Sequence, residues 1–217
     1  EGQLLREDVV RLGPKRPPVG AGVRADGTGI LRVARTPGVA AAVAAVAPGL
    51  EIVEVDVVGP PTSIALRGAG WVEALVLLAA LGDGPVFRVA APSGAVATAS
   101  IDDDGSISVA VSCGPVLDRC VLESYCVGAA HMALGWVTSE GLSVDAEGEP
   151  HDLTMRSFGI LRAVDTPKVV VTIDDTTEAA TAGGDGEPVN GSDAVFAAVA
   201  AAAWHRSGWA PRWPTAR

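Results

Sequence analysis

Residues 95 to 111 read Ala95-Val96-Ala97-Thr98-Ala99-Ser100-Ile101, then Asp102-Asp103-Asp104-Gly105, then Ser106-Ile107-Ser108-Val109-Ala110-Val111. Apolar and hydroxyl-bearing residues alternate on both sides of an acidic turn that ends in glycine. That is the pattern of two half-buried strands joined as a hairpin. A helix is expected directly after it, from about Val116 to Ser139. Gly128, Ala129, Ala130, Ala133 and Gly135 keep the surface of that helix low, so that another backbone can come close. A mid-helix glycine costs roughly 1 kcal/mol against alanine, a cost that close packing would have to return. A hairpin leading into a long, small-residue helix points to α+β rather than to a regular parallel α/β alternation.

The flanking segments fit that class. Upstream, Val86–Ala91 reads as a strand, and Gly70–Leu81 as a helix apolar nearly all round and therefore buried. Ile52–Val58 alternates Val/Ile with Glu/Asp as a half-buried strand does. Val39–Ala47 is a short helix closed by Pro48-Gly49, and Ile30–Arg35 a first strand. Residues 1–29 are rich in Gly, Pro and Arg and read as an extended arm that needs something to lie on. Downstream, a second small hairpin is expected around Asp145-Ala146-Glu147-Gly148, and a final strand at Val169–Ile173. An acidic, Gly-rich loop over 174–192 then leads to a helix at 193–205 and a Trp/Pro tail. The expected organisation is an arm (1–29), an α/β lobe (30–93) and a C-terminal lobe (94–217). Mixed sheets with hairpins would pack against Ala/Val-rich helices.

Composition narrows the function classes. The 217 residues are 48% hydrophobic but only 4% aromatic, with a net charge of −10. Such a charge repels nucleic-acid phosphates and anionic membrane surfaces, so neither is an expected partner. The longest apolar run, Trp71–Leu81, contains Glu73 and is about half the length that spans a bilayer. No signal-peptide pattern opens the chain, and its first residue is Glu rather than Met, which leaves the original N-terminus open. Cys113, Cys120 and Cys126 match no zinc-ligand spacing, and three is an odd number. They read as reduced, buried thiols of a cytoplasmic protein. His131 reads as a packed core histidine. Trp204, Trp209 and Trp213 read as an anchor packed on the body or on a partner. No nucleophile elbow, zinc-protease helix or phosphate-cradling Lys-Ser/Thr loop is present.

Several segments carry a further signal. Cys113-Gly114-Pro115-Val116-Leu117 follows the hairpin, and Glu123-Ser124-Tyr125-Cys126-Val127-Gly128 runs on to Leu134-Gly135-Trp136. Ser139-Glu140-Gly141, Asp145-Ala146-Glu147-Gly148 and Arg162-Ala163-Val164-Asp165-Thr166-Pro167 come next, then Gly184-Asp185-Gly186-Glu187-Pro188 and Trp213-Pro214-Thr215. In this order and at these spacings, residues from about Gly94 onward resemble the C-terminal part of the molybdenum-binding large subunit of the xanthine dehydrogenase / aldehyde oxidase / carbon monoxide dehydrogenase family. Residues 19–93 carry a thinner likeness.

The resemblance implies a fold like that family's C-terminal molybdopterin-binding domain. It implies that Glu187 is the catalytic general base, acting on a molybdenum-bound hydroxyl, with Gly184, Asp185 and Gly186 in the cofactor-binding turn and no metal ligand from the protein. It further implies molybdopterin, in the cytosine dinucleotide form, shared with a longer molybdopterin-binding chain, and association with FAD and iron-sulfur subunits in a hetero-oligomer. The substrate would be heteroaromatic or an aldehyde. Departures stand beside this. The family's Gly-Gln-Gly signature, its Phe-Gly-Gly loop and its substrate-side segment are missing. Gly183 stands where the family has Lys, and Asp185 adds negative charge where phosphates would lie. Two readings follow: the C-terminal subunit or fragment of a split molybdenum hydroxylase, or a catalytically inactive structural or assembly subunit derived from it.

Overall fold

The computed structural model describes residues 2–8, 19–56, 70–82, 84–141, 143–144, 147, 149–151, 154–175 and 187–216. The architecture is α+β, with two four-stranded mixed sheets, each backed by helices.

The first sheet has the order β1-β2-β3-β4, formed by Gly2–Asp8, Val19–Arg24, Gly29–Ala34 and Leu50–Val55. Its first three strands are antiparallel neighbours, whereas β4 runs parallel to β3. That parallel pair needs a crossover, and α1 (Val39–Val46) supplies it. The first 29 residues thus contribute two strands, and β2 lies directly on β3. Ala21, Val23, Leu31, Val33 and Leu50 point inward from this sheet against α1 and α2 (Trp71–Ala79).

The second sheet has the order β10-β7-β6-β5. The opening hairpin is its centre: β6 (Val96–Ile101) pairs antiparallel with β7 (Ile107–Ser112), placing Ile101 opposite Ile107 and Ala99 opposite Val109. Its turn is built as the acidic sequence implies. Gly105 sits at φ 90, its amide donates to the Asp102 carbonyl at 2.9 Å, and the Asp104 carboxylate accepts from the Ser106 amide at 2.8 Å. The Ser106 hydrogen bonds hold the Asp104 carboxyl below the usual carboxylate range. Strand β5 (Phe87–Ala90) flanks β6, and β10 (Val169–Asp174) lies parallel to β7. A two-stranded ribbon, β8 (Ser143–Val144) with β9 (Pro150–His151), follows the long helix.

That helix is α3 (Arg119–Thr138), opened by Asp118, whose carboxylate accepts from the Val121 amide at 3.0 Å. It buries Cys126, Ala129, Ala130, Ala133, Gly135, Trp136 and Val137 against α5 and β10. By length and composition alone α3 would also pass for a membrane span, but this buried side packs within the fold. After it come a single turn, α4 (Met155–Phe158), and a 3-10 turn at Ala163–Asp165. Then α5 (Ser192–Arg206) passes through the centre, with twelve of its fifteen residues buried. A helix hydrophobic on every side needs a neighbour on every side. Here the second sheet, α3 and α2 provide them.

The tail folds back over the helices. Trp213 packs edge-on to Trp136 at 4.8 Å and to Trp204 at 5.6 Å, and Trp209 lies edge-on to Trp204 at 5.0 Å. The tryptophans are an anchor on the body of the chain. The cysteines correct their expected placement: Cys113 and Cys126 are buried, but Cys120 is exposed, because it lies on the solvent side of the first turn of α3.

Candidate functional site

The segment Glu187-Pro188-Val189-Asn190-Gly191 leads into α5 beside the end of β7. Two contacts fix its path. The Val189 amide donates to the Cys113 carbonyl at 3.0 Å. The Glu187 carbonyl oxygen lies against Gly114, only 2.7 Å from where a Cβ would stand, and Gly114 itself sits at φ 75. Only glycine satisfies both conditions cheaply. Gly191 allows a third close approach, since a Cβ there would meet Val111 Cγ2 at 2.8 Å and Cys113 Cβ at 3.1 Å. Asn190 then accepts from both the amide and the hydroxyl of Ser192, at 3.0 and 2.7 Å, which holds the first turn of α5.

Two segments singled out in the sequence, Cys113-Gly114-Pro115 and Glu187-Pro188, are thereby brought side by side although some seventy residues separate them. Glu187 is exposed. Gly184, Asp185 and Gly186 lie outside the described residues. Burial pushes the Cys113 thiol above its ordinary value, which leaves it a packing group rather than a nucleophile.

A cleft of about 220 Å³ opens beside this junction, lined by Pro115, Val116, Leu117, Pro188, Val189 and, from α3, Tyr125. A second cleft of about 550 Å³ shares Val121 and Tyr125 with it and continues to Gly128 and Met132. Among the described residues, the only charged one lining either cleft is Asp118. The nearby Arg119 is engaged by Asp175 at 2.9 Å. Among the described residues, no group of three or more His, Cys, Asp or Glu could hold a metal ion. His131 is half-buried, with Nε2 at 2.8 Å from the Leu161 carbonyl. His205 packs its ring on Phe87 and Trp209.

The sequence reading did not anticipate the outer face of α3. Leu117 is 84% exposed, Tyr125 60%, Val121 50% and Met132 45%. The signal lay in the helical spacing of Val121, Tyr125, Gly128 and Met132, which share one face. Most of the small residues of α3 belong to its buried face.

No protein-family model matches the chain, and no curated protein matches it by sequence. Among solved structures it is similar to the Cu,Mo-CO dehydrogenase in its carbon monoxide reduced state, at 13% identity over 86% of this chain with a TM-score of 0.41. It is similar to the reconstituted CO dehydrogenase from Oligotropha carboxidovorans, at 12% identity over 86% of this chain with a TM-score of 0.40. The quinoline 2-oxidoreductase from Pseudomonas putida 86 is similar at 11% identity over 87%, with a TM-score of 0.39. The chain spans only 34%, 34% and 35% of those three chains. At such scores the overlap is partial, and no activity carries across from it.

Proposed function

We propose that this chain is the C-terminal subunit or fragment of a split molybdenum hydroxylase, contributing Glu187 as the general base of a site that a longer chain completes. The observation behind this reading is the meeting of Gly114 and Glu187. Two motifs that resemble the family's C-terminal signatures are clamped together, with Glu187 exposed and its neighbour Pro188 lining an apolar cleft. A general base needs a fixed backbone and access to the reacting group. The Gly114 contact and the Val189–Cys113 hydrogen bond supply the first.

The described residues do not by themselves fit a molybdopterin. A pterin dinucleotide carries phosphates, whereas the lining here is apolar, with Asp118 its one charge and Arg119 already paired. Its anionic part is therefore not assigned to this chain. Under the proposal a longer molybdopterin-binding chain supplies the cations, FAD and iron-sulfur subunits supply electron transfer, and the assembly is a cytoplasmic hetero-oligomer acting on a heteroaromatic or aldehyde substrate. Gly184, Asp185 and Gly186 would form the turn facing the cofactor.

The missing cation favours a second reading, in which the chain is a structural or assembly subunit without catalysis. One experiment separates the two. In the assembled complex, Glu187→Gln should lower turnover by about 100-fold or more, the scale of a general base, with assembly unchanged. Unchanged turnover would leave only the structural reading.

A further inference from the structure

We infer that the outer face of α3 is a docking groove for one amphipathic helix of a partner chain, apolar on one side and rich in Lys/Arg at the end lying over Asp118 and Glu187. Three independent features meet there. The first is apolar exposure: Leu117, Val121, Tyr125 and Met132 stand out of the fold and line the walls of two clefts that share Val121 and Tyr125. From Val121 to Met132 the stripe runs about 16 Å, the length of some three helical turns.

The second is Gly128. A mid-helix glycine is unfavourable unless a close approach requires it. At Gly135 one does, since a Cβ there would meet Glu140 Oε1 at 2.9 Å and Leu161 Cβ at 3.3 Å. At Gly128 a Cβ would meet nothing within 4 Å. Among the described residues nothing gives that glycine a packing role, whereas a helix seated between Tyr125 and Met132 would.

The third is charge. Among the described residues no Lys or Arg lines either cleft, Asp118 and Glu187 are exposed at the same end, and Arg119 is held by Asp175. A second copy of a chain carrying −10 would bring like charge to like, whereas a basic helix meets its complement. This inference holds whether or not Glu187 is catalytic, because a partner must dock under either reading above.

The test uses two synthetic amphipathic helices of equal length and identical leucine stripe, one flanked by Lys/Arg and the other by Glu, titrated against the full chain by fluorescence anisotropy. The basic helix should bind at least about tenfold more tightly than the acidic one. Val121→Glu and Tyr125→Glu should each weaken it about tenfold or more, although both add the charge that attracts it. Gly128→Leu should do the same by filling the groove. Ile30→Glu, on an exposed site of the first sheet, should change nothing. Thermal unfolding of each variant checks that the fold is retained. Equal affinity for both helices, no binding, or binding indifferent to positions 121, 125 and 128 would overturn the inference. So would a homodimer abolished by Val121→Glu, which would make a second copy the occupant, or co-sedimentation with phosphatidylcholine vesicles, which would make it a bilayer.

Discussion

Replacing Gly114 and Gly128 by alanine should have opposite effects. At Gly114 the backbone is left-handed and the added methyl meets the Glu187 carbonyl oxygen at 2.7 Å, so Gly114→Ala should cost about 1–3 kcal/mol. At Gly128 the helix is ordinary and the methyl meets open space, so Gly128→Ala should stabilise by about 0.5–1 kcal/mol. Urea denaturation midpoints of the two variants check both signs. The sequence showed that both glycines matter but not why. A Gly beside Cys113 reads as part of a motif, and only the fold reveals that its missing Cβ makes room for a backbone some seventy residues away. Cys120 shows the converse limit. Composition makes cysteines look buried, and only the rotation of α3 about its axis decides which one faces water.

Among the elements, the hairpin β6–β7 and the helices α1, α2, α3 and α5 were legible because their signals are local: alternation, a Gly-ended acidic turn, a Pro-Gly stop. What was not legible depends on distant partners. The Val-rich β10 pairs parallel with β7 across the whole of α3, and alternation along a strand does not name its neighbour. Strand β2 contains Gly20, Ala21 and Gly22, poor strand formers, and is extended because it lies between β1 and β3. Asp118 tests a local signal. Asp118→Ala removes the side-chain acceptor of the Val121 amide and should cost about 1 kcal/mol, read as a lowered thermal midpoint. It should also weaken the basic helix, since it removes a negative charge that lines the groove.

For the whole molecule, the central helix and the apolar outer face pull in different directions. Within the chain α5 buries twelve of its fifteen residues, enclosed by the second sheet, α3 and α2. The outer face of α3 leaves large apolar side chains in water beside the junction that holds Glu187. Exposed apolar patches of that kind mark surfaces awaiting a partner. The cluster of motifs from Gly94 onward suggested an enzyme's C-terminal part, and the fold unites two of those motifs at one cleft. It also shows that cleft to be apolar and acidic, so a cofactor with phosphates would need cations from elsewhere. Partnership is thus the central claim, and isolation of the protein from its own source, with native mass spectrometry and molybdenum quantified on the same sample, tests it most directly. The account predicts a complex holding a longer second chain, with molybdenum in proportion to the number of copies. A lone chain or a homo-oligomer, free of metal and pterin, would contradict it.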